Sequence, residues 1–161
     1  MAMTNSTKQT TTKQKLPPNP FQHEILELVS KQRSKAKKVE ILQEYANDAL
    51  KVLLIWNFDD TAISVIPKGT VPYTENEVPV GTDHTSLRVE YKHLYNFVKG
   101  GNDSLTSLRR ETMFIQILEG LHPDEAKLLC LVKDKELQTK YKLTYEVVRE
   151  AYPDIQWGGR S

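Results

Sequence analysis

Short apolar stripes at the helical period, each bracketed by its own start and stop residues, constrain this chain towards a bundle of helices. The clearest case is "GLHPDEAKLLCLVKDKEL", residues 120–137. Gly120 closes the segment before it, and Pro123 suits a first helical turn. Asp124 and Glu125 stand where the helix dipole favours negative charge, and Lys133 and Lys135 fall near the end that favours positive charge. Ala126, Leu128, Leu129 and Val132 supply the inward face, with Cys130 and Leu131 beside them. The pattern recurs. Ile25, Leu26 and Val29 follow Pro20, and Ser34 precedes Val39, Leu42, Tyr45 and Ala46. Asn47 or Asp48 can cap "ALKVLLIWNF", whose long apolar run fits a helix buried on more than one side. Leu87, Tyr91, Leu94 and Val98 form a stripe that Gly100 and Gly101 end. Asn102 or Asp103 can cap the next helix, with Leu105, Leu108, Thr112, Ile115 and Leu118 marking one face and Met113, Phe114 and Ile117 widening it. Thr144 opens the last, with Val147, Val148 and Ala151 inward and Pro153 as the stop.

These signals predict an all-α fold, an irregular multi-helix bundle of about five to seven helices with one long Pro/Gly-rich connection. A chain of 161 residues suits one domain with a substantial core. Residues 1–20 read as a disordered polar, basic arm carrying Lys8, Lys13 and Lys15, residues 21–157 as a single helical domain, and residues 158–161 as a frayed end. The opening residues lack the apolar stretch of a secretory signal, and no run approaches a membrane span. A single cysteine excludes an internal disulfide.

The connection "DDTAISVIPKGTVPYTENEVPVGTDHTS" breaks the helical pattern. Ala62–Ile66 could form a tiny strand; Pro67, Gly69, Pro72, Pro79 and Gly81 then forbid a regular element. Unstructured connections this long in compact domains are often functional. Residues 56–84 hold one Lys/Arg against five Asp/Glu, whereas residues 1–55 hold nine against five, in a chain whose net charge is only +1. The acidic excess around an aromatic makes Tyr73, Glu75, Glu77 and Asp83 the protein-binding candidates. Overall balance disfavours a basic nucleic-acid binder, but Lys31, Arg33, Lys35, Lys37 and Lys38, joined by Arg109 and Arg110, are the candidates for a local phosphate-binding surface.

Motifs for chemistry are lacking. His23, His84, His93 and His122 are dispersed, without metal-ligand spacing, so no metal and no cofactor is expected from the pattern. Cys130 within "LLCLV" reads as a small core residue, remote along the helix from His122. "VKGGND" lacks the closing lysine and hydroxyl of a phosphate-binding loop. Asp59 and Asp60 are the least implausible catalytic acids, and no catalytic residue is assigned.

The segments "WNFDDTAISVIPKGTVPYTENEVPVGTDHTSL", "LYNFVKGG", "LRRETMFIQILEGLHPDEAKLLCLVKDKEL" and "LTYEVVREAYP" resemble a small uncharacterised protein family of large contractile-tailed bacteriophages, marine and cyanobacterial ones included. The resemblance covers residues 25–153. It implies a viral protein made in the host bacterial cytoplasm, with virion association an open alternative, and it transfers no catalytic or binding role to any residue. The leading expectation is a non-enzymatic accessory protein acting through protein–protein binding to a phage or host protein, in host takeover, replication or transcription, or assembly. The alternatives are a nucleic-acid-associated accessory protein that uses the basic helix and the arm, and a small virion structural component.

Overall fold

The computed structural model describes residues 16–78 and 84–160. Lys8, Lys13, Lys15, Pro79, Gly81, Asp83 and Ser161 lie outside the described residues. The described fold is all-helical: α1 (Gln22–Lys31), α2 (Lys35–Glu44), α3 (Asp48–Phe58), α4 (Leu87–Glu90), a 3₁₀ segment (Tyr91–Phe97), α5 (Ser107–Gly120), α6 (Pro123–Lys133), α7 (Leu137–Lys140) and α8 (Tyr145–Ala151). Six of the α-helices have seven residues or more, within the expected number. The single turns α4 and α7 and the 3₁₀ segment add the rest, because Leu87–Val98, read as one helix, tightens into i→i+3 geometry after one α-turn.

Local chemistry builds the ends. Ser34 accepts the Lys37 N–H, Asn47 the Leu50 N–H and Thr144 the Val147 N–H, as the sequence suggests. At α5 the cap is Thr106, which accepts from the Arg109 N–H, and not Asn102 or Asp103. Those two residues lie in the turn that Gly100 permits with its φ of +84°. Gly101 is required by space, since a Cβ there would fall 1.8 Å from the Tyr95 carbonyl oxygen.

α3 and α6 form the centre. α3 buries Ala49, Leu50, Leu53, Leu54 and Trp56, the many-sided burial its apolar run implies, and packs on α4, α6 and the 3₁₀ segment. α6 buries Ala126, Leu128, Leu129 and Val132 and packs on α1, α3, α5 and α7. α8 lies on α2, which lies on α1. On α5 the expected face holds at Leu118 and at Phe114, which widens it and is buried with it, but not at Leu108, which is 78% exposed. Phe114 sets the register by meeting Phe97 edge-to-face at 5.1 Å.

In place of a strand at Ala62–Ile66 there is one antiparallel bridge, Ser64 to Val98, and the Trp56 indole N–H donates to the Ser64 hydroxyl at 2.8 Å. The expected frayed end is tied down through residue 160: the Gly158 N–H donates to Asp59 and the Arg160 N–H to Thr61. At the other end, the Leu16 N–H donates to the Tyr45 hydroxyl and Arg88 donates to the Pro20 carbonyl, so Leu16 and Pro20 of the expected arm lie against the domain.

Candidate functional site

The beginnings of three helices meet at one carboxylate. Glu125, in the first turn of α6, is fully buried. Its Oε2 accepts the Gln22 N–H of α1 at 2.9 Å and its Oε1 the Leu87 N–H of α4 at 2.9 Å. Each N–H is one of the donors a helix start leaves unpaired, so one side chain caps two foreign helices. Burial pushes the Glu125 carboxyl above its ordinary value, while the two N–H groups and the charge of Arg88 pull the other way.

Beside this hub the fold gathers residues that the sequence scatters. The His23 ring of α1 stacks on His122 with centroids 5.2 Å apart, and Phe21 packs on both rings. His84 meets His122 edge-on at 5.7 Å. His122 caps α6, its Nδ1 accepting the Asp124 N–H at 3.0 Å. The Asp124 carboxylate stands 3.7 Å from His23 Nε2. One ligand atom from each of His23, His122 and Asp124 lies within 4.8 Å of the others. Burial lowers the His23 pKa, with Asp124 and Glu27 opposing the shift. Among the described residues, five buried side-chain polar atoms lack a hydrogen-bond partner, and three of them are imidazole nitrogens here: His23 Nδ1 and both nitrogens of His84. Each such atom costs about 1–3 kcal/mol of desolvation. Local spacing contained no sign of this cluster, because His23 and His122 belong to different helices.

The opposite end of α6 holds the long connection. The Lys133 side chain is fully buried, and its Nζ donates to the Pro67 carbonyl at 2.9 Å, the Gly69 carbonyl at 3.0 Å and the Asp134 carboxylate at 2.5 Å. Asp134 in turn accepts the Gly69 N–H. Further along, the Thr74 N–H donates to Glu119, and Lys127 lies 3.9 Å from Glu75. Tyr73 is half-buried on the core beside Cys130, its hydroxyl pKa raised chiefly by burial. Of the four acidic-loop candidates, Tyr73 and Glu75 are thus engaged with the molecule itself, and Glu77 is exposed. Cys130 is pushed up to about 11 by burial, the setting of an inert thiol.

The basic candidates divide between two places. Lys31, Arg33, Lys35 and Lys37 are exposed around the α1–α2 turn. Lys35 there pairs with Glu150 at 3.2 Å, and Lys38 donates to the Lys142 carbonyl. Arg109 and Arg110 belong to α5, whose main packing partners are α6 and the 3₁₀ segment. Arg110 spends its guanidinium on the carbonyls of Asn96, Asn102 and Leu105, closing the double-glycine turn.

Asp59 is likewise structural. Burial would raise its carboxyl, but hydrogen bonds from Thr61 and Gly158 and the charge of Arg160 lower it to about 2. Lys135 Nζ donates to the carbonyls of Trp56 and Asp59, closing the end of α3.

Among the described residues, one groove is lined mainly by apolar side chains. This groove, of about 300 Å³ between α3 and the 3₁₀ segment, is lined by Val52, Ile55, Trp56, Ala62, Leu94, Val98 and Arg160. Tyr95, the residue after Leu94, is 54% exposed, and Ile63, the residue after Ala62, is 41% exposed.

The architecture is that of an all-helical protein in which no described helix is long and apolar enough to cross a membrane. The chain belongs to a family of unknown function, DUF6433, whose model matches residues 25–139. No curated protein and no solved structure matches it.

Proposed function

We infer that the protein is a non-enzymatic accessory protein that binds another protein through the apolar groove between α3 and the 3₁₀ segment. The observation that carries this reading is the groove itself: six apolar residues line an open depression together with Arg160, and exposed Tyr95 and Ile63 are next in chain to two of them. Apolar anchoring pockets with aromatic neighbours and a polar edge are what protein interfaces use to concentrate binding energy. In the acidic loop, Tyr73 packs on the core and Glu75 stands 3.9 Å from Lys127 while staying half exposed, so the groove is the more apolar of the two surfaces. The resemblance to the contractile-tailed phage family supports a viral setting in the host bacterial cytoplasm, with a phage or host protein as partner.

The test is affinity capture of the full chain from host cells, with and without nuclease, alongside Val52→Arg. Nuclease-resistant recovery of one protein, lost in the folded Val52→Arg variant, is the expected result. Recovery that vanishes with nuclease transfers the function to nucleic acid and to the basic turn of Lys31, Arg33 and Lys37. Recovery untouched by Val52→Arg removes the groove from the interface.

A further inference from the structure

We propose that His23, His122 and Asp124 form a binding site for a divalent first-row transition ion of the zinc class, with His84 as an adjoining ligand, and that the ion ties the start of α6 to the start of α1. This site is separate from the apolar groove and does not depend on it. Three observations on different elements converge. The ligand atoms of His23, His122 and Asp124 already lie within 4.8 Å of one another. His23 is 6% exposed with Nδ1 unpartnered, and His84, outside that trio but edge-on to His122 at 5.7 Å, has two more shielded nitrogens without partners. The Asp124 side chain is 44% exposed and stands 3.7 Å from His23 Nε2.

The donor set selects the ion. Imidazole nitrogens with one carboxylate oxygen suit zinc, cobalt or nickel, whereas magnesium and calcium ask for a shell of oxygens. Two ligands on one tetrahedral zinc stand roughly 3.3 Å apart, given bonds of about 2.0–2.1 Å, so closing the cluster takes rotation of the stacked His23 and His122 rings as well as of the half-exposed Asp124 carboxylate. Glu125 is not a ligand: both of its oxygens are occupied by Gln22 and Leu87 N–H groups, which fix the start of α1 relative to α6 and hold the site in shape.

Coordination has a cost that leaves a signature. His122 Nδ1 accepts the Asp124 N–H. If Nδ1 coordinates, the same lone pair is spent on the ion. If Nε2 coordinates, the ring proton moves to Nδ1. Either way the α6 cap is given up, and the Asp124 amide loses its acceptor when the ion binds.

The experiment uses the full chain without an affinity tag, titrated with Zn²⁺ alone and with Co²⁺ alone. Calorimetry, the visible cobalt spectrum and amide exchange are the readouts. One ion per chain is expected, with tetrahedral-type cobalt bands, a raised Tm and faster exchange at the Asp124 amide while the Gln22 and Leu87 amides stay protected. His122→Asn keeps a capping acceptor and removes the imidazole; it and Asp124→Asn should each weaken Zn²⁺ binding at least tenfold, since outer partners alone cost about that much. His93→Gln, on an exposed histidine elsewhere, should leave binding unchanged. Stoichiometric binding that persists in both His122→Asn and Asp124→Asn, or an Asp124 amide unmoved by saturating Zn²⁺, overturns the proposal, as does the absence of one-to-one binding.

Discussion

The two ends of α6 are built from the same kinds of residue and finished to different degrees. At the carboxyl end, Lys133, Asp134 and Lys135 spend their charges on partners within the chain: two carbonyls and a carboxylate for Lys133, a backbone N–H for Asp134, and two carbonyls at the end of α3 for Lys135. At the amino end, Glu125 is saturated, but the imidazoles around it are left with three unpartnered nitrogens. A saturated buried network defines position and rigidity. A buried network with lone pairs to spare is equipped for a ligand. The difference separates a lock from a socket within one eleven-residue helix.

That contrast can be broken most forcefully at the lock. Lys133→Met leaves the Asp134 carboxylate and the Pro67 and Gly69 carbonyls without their cation, and about 4 kcal/mol of stability should be lost in urea denaturation. A loss below about 1 kcal/mol would show that the connection is held by other means. The saturated part of the amino end comes next. Glu125→Ala strands two buried N–H groups at about 1–3 kcal/mol each, so about 3 kcal/mol should disappear, with Glu125→Gln losing less because one acceptor remains.

The third expectation concerns Asp59, on the lock side through its carbonyl contact with Lys135. Its folded pKa of about 2 lies below the ordinary carboxylate value of 3.8. The stability it contributes is therefore fully present above that ordinary value and is lost as pH falls from about 4 through about 2, a loss of about 2 kcal/mol. Asp59→Asn should flatten that part of the stability–pH curve. The smallest effect sharpens the socket: in metal-free buffer His122→Asn should change stability by less than about 1 kcal/mol, whereas His122→Ala, which removes the cap, should cost about 1 kcal/mol. A large loss from His122→Asn would make the stacked rings a packing device.

The bundle was legible because helix starts and stops are local chemistry. Ser34, Asn47, Thr144, Pro123 and Gly100 act within four residues of themselves, and the sequence displays such relations directly. Glu125 and Lys133 show the limit of that legibility. Their helix-end positions agree with a dipole argument, but each side chain acts across the fold, on Gln22, Leu87, Pro67 and Gly69. Leu108 failed for a related reason: periodicity identifies a stripe on α5, and only the neighbour, Phe97 against Phe114, decides which stripe turns inward. The histidine cluster was invisible because His23, His84 and His122 come from separate elements far apart in the chain. The groove was hidden as well, since Val52 and Ile55 look like ordinary members of a buried helix until the 3₁₀ segment is set beside them.

The carboxylate shared by three helix starts also bears on how the protein is made. Gln22 and Glu125 are 103 positions apart. During synthesis the first helix emerges long before its acceptor, so its leading amide stays with water until α6 has left the ribosome. The hub therefore closes late, and a truncated product ending before residue 125 would lack the pin that joins its beginning to the rest.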